Sequence, residues 1–475
     1  MVLAAFRFMK RKAGELQAVF DELDREHLRR QRRTIDSFVE AGSRVTAVVD
    51  GRQLVDFSSN DYLGLARHPA VASAMSECAE RCGSGSGASH LVTGHAAEHT
   101  RLEEELAAFT GRERALLFST GYMANLAVMT TLAGRSETVL LDRLSHASLI
   151  DGGLLSGARF KRFAHADAGA AESAITESTS VLATDGVFSM DGDVGPLADL
   201  ADIAKSHDAW LVVDDAHGLG VIGATGRGAV EHFALDADAV PVLVGTLGKA
   251  FGSFGAFVAG SAELIELLMQ KARPYIYTTA LPQPVAAASR KALEIAQRET
   301  WRRERVLALA ARFRQGAGQA GVPLLEPAAG HAASAHAASA HAASAHAASA
   351  HAASAHAASA HAASAHAASD HAASAHAAAA HAAAAHAGHQ DSVAVGGAQP
   401  LTPIQPILLG SSEAALLAQR DLLAEGFCVV AIRPPTVPQG SARLRVTLSA
   451  AHTEAQVDAL VETLSRVCAA RNVVS

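Results

Sequence analysis

The sequence is poor in cysteine, aromatic residues and charge. Its 475 residues include four cysteines, two tryptophans and four tyrosines, and only 19% of them are charged. Four cysteines without a C-x-x-C pair make no disulfide framework, which favours a reducing, cytoplasmic location. No apolar run reaches the roughly 18–20 residues that cross a membrane, so no membrane span is expected. The net charge of −8 gives no electrostatic reason to expect nucleic acid as a partner.

A low-complexity tract inflates the counts of histidine and alanine. Twelve of the 24 histidines recur every five residues from His331 to His386, in the unit His-Ala-Ala-Ser-Ala. A five-residue step turns a helix by about 140° net, so these histidines form no single stripe. We interpret the 331–386 tract as an insertion in a surface loop. Weak binding of a divalent metal by the twelve imidazoles is the alternative, and unchanged metal uptake after deletion of the tract would exclude it.

The rest of the chain alternates short apolar segments with helical patterns. The charged run 13–40 predicts a helix, and the strand–helix alternation over 115–244 predicts an α/β domain with a mostly parallel sheet. Beyond the tract, alternating strand and helix patterns over 404–472 predict a smaller α+β domain. The predicted domains are 1–60 as an N-terminal helical segment with a short strand, 61–300 as the large α/β domain, and 301–475 as the small C-terminal domain with the 331–386 insertion.

The most specific local motif is a lysine in a loop of small residues. Lys249 lies in the segment Thr246–Gly252, just after an apolar strand, and α/β proteins bind ligands at the carboxyl ends of such strands. Upstream, the apolar strand Leu211–Val213 ends at Asp214-Asp215-Ala216-His217. Because about one strand–helix–strand unit separates the aspartate from the lysine, both can border one pocket.

These residue types fit a pyridoxal phosphate site. A lysine amine such as that of Lys249 forms a Schiff base with a carbonyl cofactor, and a carboxylate such as Asp214 keeps the pyridine nitrogen protonated. His217 can hydrogen-bond the ring oxygen. A strand–turn–helix pattern offers the backbone N–H groups of Gly121 and Tyr122 to a phosphate. A metal site at the aspartate and histidine is the alternative, but it needs a second ligand cluster, and the sequence offers none at suitable spacing.

Seven ordered segments carry the motifs of a known enzyme family. They are Phe57–Leu65, Asp142–Leu149, Gly186–Asp193, Asp214–Gly218, Thr246–Gly252, Arg433–Pro438 and Ala442–His452. They extend from the N-terminal third to the C-terminal end, and only the histidine tract interrupts the match. On these motifs the sequence resembles the α-oxoamine synthase family of pyridoxal-phosphate enzymes. The resemblance implies a homodimeric transferase of fold type I that joins an amino acid to an acyl thioester and releases carbon dioxide.

The resemblance also implies roles for individual residues. Lys249 is expected to bind pyridoxal 5′-phosphate as a Schiff base and to move the proton at the amino-acid α-carbon. Arg445 is expected to grip the amino-acid carboxylate, because a planar guanidinium matches a carboxylate. The implied catalytic residues are Lys249, His146, Asp214 and His217. The implied cofactor contacts are Gly121, Tyr122, His146, Ser189, Asp214, His217, Thr246 and Lys249. The implied substrate contacts are Arg29, Asn60, His146, Thr436 and Arg445, with Arg30, Arg32 and Arg33 as alternatives to Arg29.

Substrate choice is the open point within the family. The runs Arg273–Thr279 and Pro434–Pro438 resemble most the branch that condenses L-alanine with a pimeloyl thioester, on coenzyme A or an acyl carrier protein, in biotin synthesis. The first alternative is glycine with acetyl-CoA; other members use glycine with succinyl-CoA, or serine. A metal-binding protein that keeps the enzyme scaffold is the remote alternative. The absence of a metal-ligand constellation in the sequence outside the tract argues against that alternative.

Overall fold

A seven-stranded sheet forms the centre of the fold. The computed structural model describes residues 13–40, 42–326 and 399–470, which belong to one compact unit. The strands are β1 (Ile35–Phe38), β2 (Thr46–Val49), β3 (Arg52–Asp56), β4 (Arg114–Phe118), β5 (Thr138–Asp142), β6 (Arg159–Phe163), β7 (Thr179–Asp185), β8 (Trp210–Asp214), β9 (Val242–Thr246), β10 (Ala256–Gly260), β11 (Ile404–Gly410), β12 (Phe427–Cys428), β13 (Val430–Ile432) and β14 (Ala442–Thr447). The central order is β4-β10-β9-β8-β7-β5-β6. Only β10 runs antiparallel to its neighbours, so the predicted α/β class with a mostly parallel sheet is confirmed.

Helices pack on both faces of this sheet. The helices of the described chain are α1 (Ala13–Arg25), α2 (Pro69–Cys82), α3 (Ala97–Thr110), α4 (Gly121–Leu132), α5 (Ala147–Ser156), α6 (Ala168–Ala174), α7 (Leu197–Ser206), α8 (Ala229–His232), α9 (Ala262–Lys271), α10 (Arg273–Ile276), α11 (Gln283–Arg298), α12 (Trp301–Gln319), α13 (Ser412–Ala424) and α14 (Glu454–Ala469). No helix in the described part of the chain is long and apolar enough to cross a membrane.

Side chains of the central strands alternate between two buried hydrophobic layers. In β8, Leu211 and Val213 belong to the layer that includes α3, α7 and α11, and Val212 belongs to the layer that includes α4 and α9. In β7, Leu182 and Val181 divide in the same way. All five side chains are fully buried. A strand buried on both faces needs a continuous apolar run, which is what these segments have.

Two smaller sheets join the N-terminal and C-terminal parts of the described chain. β1, β2 and β3 pair antiparallel, and β12 adds to β3 in parallel. β14 lies between β11 and β13. The Thr447 backbone N–H donates to the Phe57 carbonyl (2.8 Å), which places β14 beside the segment after β3. The domain boundaries at 60 and 300 stay predictions, and the 331–386 insertion lies outside the described residues.

The prediction of one helix over 13–40 is wrong. Helix α1 ends at Arg25, and β1 begins at Ile35 and pairs with β2. The backbone of His27 adopts a left-handed φ of 56°, which a continuing helix does not allow. The four arginines among residues 29–33 also repel one another at helical spacing.

Two further sequence patterns each correspond to two elements in the structure. The apolar run 428–432 predicts one strand, but it is split, because β12 pairs with β3 whereas β13 pairs with β14. The pattern over 284–318 predicts a helical region, and this region consists of two helices separated by Glu299 and Thr300. Both divisions depend on which partner each half packs against, which local patterns do not specify.

Candidate functional site

The carboxyl ends of three parallel strands enclose a small cavity. Asp185 ends β7, Asp214 ends β8 and Thr246 ends β9. The cavity has a volume of about 170 Å³. Its lining residues are Gly121, Tyr122, His146, Ser148, Asp185, Asp214, Ala216, His217, Thr246 and Lys249. The structure therefore brings together seven of the eight predicted cofactor contacts, and Ser189 is not among the lining residues.

One end of the cavity is the N-terminus of α4. The Thr120 side chain caps this helix by accepting from the Met123 backbone N–H (3.2 Å). A Cβ atom on Gly121 would lie 2.8 Å from the Thr246 Cγ2 atom, so only glycine leaves the helix start open toward β9. Free backbone N–H groups at a helix N-terminus bind phosphate, so this end of the cavity fits a phosphate group. The Tyr122 hydroxyl at the rim donates to the Asp151 carboxylate.

The Asp214 carboxylate is buried and fixed by two donors. Its Oδ1 accepts from the Ala216 backbone N–H (3.0 Å), and its Oδ2 accepts from Asn125 Nδ2 (2.6 Å). Asn125 also donates to the Ser148 hydroxyl (2.8 Å). These donors orient the carboxylate toward the cavity, and a carboxylate is the partner that a protonated ring nitrogen requires. Sequence reasoning missed Asn125, because its contact with Asp214 joins residues far apart in the chain.

Its neighbour Asp215 has a structural role instead. The Oδ2 atom of Asp215 accepts from the Ala229 backbone N–H (2.7 Å) and so fixes the loop after β8. Burial raises its pKa to about 8. A Cβ atom on Gly228 would lie 1.8 Å from the same oxygen. The two adjacent aspartates therefore face different surroundings, and only Asp214 lines the cavity.

The Lys249 amine lies in the cavity without an ion-pair partner: no carboxylate among the described residues, 13–40, 42–326 and 399–470, forms an ion pair with it. Burial lowers its pKa from 10.5 to about 8, although Asp214 acts in the opposite direction and Arg445 adds to the decrease. A substantial fraction of the amine is therefore neutral near pH 8. A neutral buried amine is the nucleophile that a carbonyl cofactor needs.

His146 and Asp185 form a second pair in the cavity. Asp185 Oδ2 accepts from the His146 backbone N–H (2.9 Å), and the His146 ring nitrogen Nδ1 contacts the Ser148 hydroxyl (2.7 Å). Burial raises the pKa of Asp185 well above its ordinary value, and the nearby Asp214 charge raises it further. Burial lowers the pKa of His146, so its ring is neutral at pH 7. Sequence reasoning missed Asp185, which lies just outside the Gly186–Asp193 motif.

Arg445 reaches the site from β14. Its Nε donates to the Ser189 carbonyl (2.5 Å), and its two other nitrogens donate to Asn60 Oδ1 (3.1 Å) and the Tyr62 hydroxyl (3.4 Å). Three of the five guanidinium N–H groups are thus used, which leaves two for a carboxylate. The Tyr62 hydroxyl also lies 2.6 Å from His217 Nδ1. The predicted residues Asn60, Ser189 and Arg445 are therefore linked to the cavity through Tyr62.

The comparisons with known proteins agree with this site. The aminotransferase class I and II family matches residues 52–332 and 328–464. The 8-amino-7-oxononanoate synthase of Methylococcus capsulatus is 50% identical over 430 residues, which are 90% of this chain and 92% of the relative. That of Cellvibrio japonicus is 47% identical over 455 residues, which are 95% of each chain. The chain belongs to the 8-amino-7-oxononanoate synthase family.

Solved structures support the same family. Serine palmitoyltransferase from Sphingomonas wittichii superposes with a TM-score of 0.77 at 26% identity and covers 97% of this chain and 98% of its own. The 8-amino-7-oxononanoate synthase of Francisella tularensis gives a TM-score of 0.65 at 26% identity, over 88% and 99% of the two chains. The predicted pyridoxal-phosphate-dependent transferase fold and its cofactor are thereby confirmed.

Sequence reasoning gave no role to Tyr62 in this member of the 8-amino-7-oxononanoate synthase family. Its side chain is fully buried, and its hydroxyl contacts His217 and Arg445. Burial lowers the pKa of His217 well below its ordinary value, so its ring is neutral and has one N–H. The hydroxyl has one hydrogen and lies 2.6 Å from His217 Nδ1 and 3.2 Å from Asn60 Oδ1, so the His217 tautomer decides which of the two accepts it. Tyr62 is thus the side chain that contacts His217 Nδ1.

Replacing Tyr62 with phenylalanine is expected to lower kcat/KM about ten-fold, because one buried hydrogen bond to His217 is lost. Steady-state thiol release measures this effect. Tyr275→Phe is the matched control, since Tyr275 is also buried but does not line the cavity. Equal rates for Tyr62→Phe and the unmodified protein would contradict the role given to this hydroxyl.

The remaining predicted substrate contacts line a second, larger cavity. It has a volume of about 800 Å³ and is lined by Arg29 and Thr436 together with Arg30, Arg32 and Arg33. Arg30 donates to the Thr436 hydroxyl (3.3 Å), whereas Arg29 forms an ion pair with Asp24 (2.7 Å). The arginines make this cavity suited to an anionic substrate. The choice among them stays a prediction.

Proposed function

We propose that this protein condenses L-alanine with a pimeloyl thioester and so makes 8-amino-7-oxononanoate in biotin biosynthesis. A bond forms between the α-carbon of alanine and the thioester carbonyl carbon. The C–S bond breaks and releases the thiol, and the alanine carboxylate leaves as carbon dioxide. One observation carries the proposal: Lys249 shares a cavity with Asp214, His146 and His217 in a chain 50% identical to an enzyme of that name.

The cavity residues divide the work of holding the cofactor. Pyridoxal phosphate, when bound, supplies the electron sink that makes the α-carbon of the amino acid acidic. Lys249 holds the cofactor covalently, and the Asp214 carboxylate keeps the ring nitrogen protonated. The other residues proposed to hold it are Gly121, Tyr122 and Thr246 at the phosphate, His146 against the ring face, and His217 and Ser189 at the ring oxygen.

Lys249 and Arg445 act on the amino acid itself. The Lys249 amine takes the proton from the α-carbon and returns one later. With a pKa of about 8, the amine can act both as a base and as an acid near that pH. The Arg445 guanidinium binds the alanine carboxylate with the two N–H groups that Ser189, Asn60 and Tyr62 leave unused.

The depressed pKa of Lys249 predicts the pH dependence of cofactor capture. Only the neutral amine attacks the cofactor aldehyde, so the second-order rate of capture by cofactor-free protein should rise with pH and level off above about 8. Stopped-flow absorbance after addition of pyridoxal phosphate measures that rate. A profile that still rises toward pH 10.5, the ordinary lysine value, would show that burial does not depress this pKa.

The larger cavity is the proposed binding place for the acyl thioester. Arg29 and Thr436 are proposed to contact the pimeloyl substrate, on coenzyme A or an acyl carrier protein, and Arg30, Arg32 and Arg33 are the alternatives to Arg29. All five residues line that cavity, and their arginine side chains complement a carboxylate or a phosphate. Alanine variants tested one at a time for KM of the acyl donor distinguish among the arginines.

A homodimer in the cytoplasm is the proposed working form. The isolated bridge between Ser89 and Thr279 brings together two segments with exposed apolar side chains. Val92 is 73% exposed and Tyr277 is 69% exposed, and a second subunit would cover such side chains. Light scattering after size exclusion measures the mass, and a monomer at micromolar concentration would contradict this proposal.

Thiol release with matched substrate pairs tests the proposed function. The purified, cofactor-loaded protein is given L-alanine, glycine or L-serine, each with pimeloyl-CoA or acetyl-CoA. Release that requires both L-alanine and pimeloyl-CoA is the expected result. Release with glycine and acetyl-CoA instead would move the protein to the other branch of the family. Silence with every CoA donor and with pimeloyl-acyl carrier protein would overturn the proposal.

A further inference from the structure

A partly buried histidine outside the cavity lies between two carboxylates. His165 Nδ1 is 3.0 Å from Asp142 Oδ1, and His165 Nε2 is 2.9 Å from Asp193 Oδ2. The side chains of Asp142 and Asp193 are 0% and 1% exposed, and that of His165 is 17% exposed. A neutral imidazole has one N–H and can donate to one carboxylate only. An imidazolium has two N–H groups and donates to both carboxylates at once, so this geometry favours the charged ring.

The two carboxylates lie at or just beyond the carboxyl ends of two neighbouring parallel strands, β5 and β7. Asp142 ends β5, and its Oδ1 also accepts from the Leu144 backbone N–H (2.7 Å), two residues before His146. Asp193 belongs to the loop that follows β7, where its carbonyl accepts from the Phe188 backbone N–H (2.9 Å). The ring of Phe188 packs edge-on against His165 at 4.4 Å between centroids. His165 thus contacts both ends of this turn.

That loop carries the groups that hold the arginines of β14. The carbonyl of Ser189 accepts from Arg445 Nε (2.5 Å). The carboxylate of Asp191 forms an ion pair with Arg443 (2.5 Å). A displacement of the loop would therefore move Arg445, the proposed carboxylate-binding residue, relative to His146, which lies in the segment after β5.

We propose that His165 is a positioning residue: its imidazolium ties the segment that carries His146 to the loop that carries Ser189, and so fixes Arg445 relative to the cavity. The expected effect on the kinetics with alanine rests on the proposed function. The bridge between the two segments does not, and it concerns the protein with or without cofactor. The titratable groups that face His165 are Asp142 from β5 and Asp193 from the loop, and both favour the charged ring.

The bridge predicts a pH-dependent stability with a definite sign. Burial acts to lower the pKa of His165, but the two aspartates together outweigh it and raise this pKa to about 10, against 6.5 in an unfolded chain. A raised folded pKa stabilises the protein fully below pH 6.5, and this contribution is lost as the pH rises to about 10. The difference in Tm between the unmodified protein and His165→Asn should therefore be largest near pH 6.5 and shrink toward pH 10.

His165→Asn tests both parts of the proposal. Asparagine is polar, but it has no positive charge and cannot replace the imidazolium as a donor to both carboxylates. Tm is measured from pH 6 to pH 10 on cofactor-free and cofactor-loaded protein, and kcat and KM are measured for each substrate. We expect kcat/KM for L-alanine to fall at least about ten-fold with an increased KM for alanine, and KM for the acyl donor to stay the same. His99→Asn is the control, since His99 is fully buried but bonded only to the backbone at Ala96 and Leu281.

The outcomes separate the two proposals. A pH-independent Tm difference, or kinetics like those of His99→Asn, would overturn the positioning role. Absence of turnover in the unmodified protein would overturn the proposed function, while the Tm series would still test the bridge. If His165→Asn does not fold, Asp193→Asn removes one carboxylate with little change of shape. It should show the same pH trend and the same KM effect, and unchanged values for both would equally reject the bridge.

Discussion

Replacing Lys249 with alanine is expected to lower thiol release by at least about 10³-fold, because this change removes both the covalent attachment and the proton carrier. The amine lies in the cavity with Asp214 and His146, and Arg445 and burial keep it partly neutral. The variant should still bind pyridoxal phosphate through the other contacts, but without the absorbance band of a lysine Schiff base. Steady-state rates and absorbance spectra of the loaded protein measure both effects.

Lys271→Ala is the matched control for this prediction. Lys271 is exposed in the last turn of α9 and does not line the cavity. It should retain full activity and the Schiff-base spectrum. A Lys249→Ala protein that keeps either the spectrum or more than about a tenth of the activity would show that another amine carries the cofactor.

Replacing Asp214 with asparagine is expected to lower kcat by about 10²–10³-fold, the range seen when one fixed electrostatic group is removed from an active site. The carboxylate now accepts from Asn125 and from the Ala216 N–H. A carboxamide has no negative charge, so it cannot hold the ring nitrogen protonated. The NH2 group of the new asparagine would also face one of the two donors, Asn125 Nδ2 or the Ala216 N–H, instead of an acceptor. Steady-state rates and the spectrum of the bound cofactor measure the effect.

Asp208→Asn is the control with the same chemical change. Asp208 is exposed in a turn and has a left-handed φ of 52°, which asparagine adopts readily. Its activity should equal that of the unmodified protein. An Asp214→Asn protein within about three-fold of the unmodified rate would mean that this carboxylate is not the partner of the ring nitrogen.

The sequence predicts the cavity because the cavity lies at strand ends. A run of apolar residues that stops at Asp214, and another that stops before Lys249, place both groups at the carboxyl edge of the sheet. By contrast, Tyr62 and His217 are 155 residues apart, and their contact depends on how the N-terminal segment packs on the sheet. The contact between Asn125 and Asp214, which are 89 residues apart, likewise depends on how α4 packs against the sheet. Such long-range contacts have no local signature.

The fold shows a similar limit. Buried strands such as β8 are predicted because both of their faces are apolar. The edge strand β6 is missed, since its sequence Arg-Phe-Lys-Arg-Phe has only one buried side chain. β10 is also missed, because its flanking glycines resemble a loop even though its five residues are all buried. The end of α1 depends on the left-handed His27, which helix propensity does not reveal.

The most direct test of the account follows the carboxylate of the amino acid. The loaded protein is given L-alanine labelled at its carboxyl carbon together with a pimeloyl thioester, and labelled carbon dioxide, free thiol and 8-amino-7-oxononanoate are quantified by mass spectrometry. The account predicts equal amounts of all three, with no label in the product. Thiol release with the label retained in the organic product would contradict a decarboxylative condensation in the Lys249 cavity.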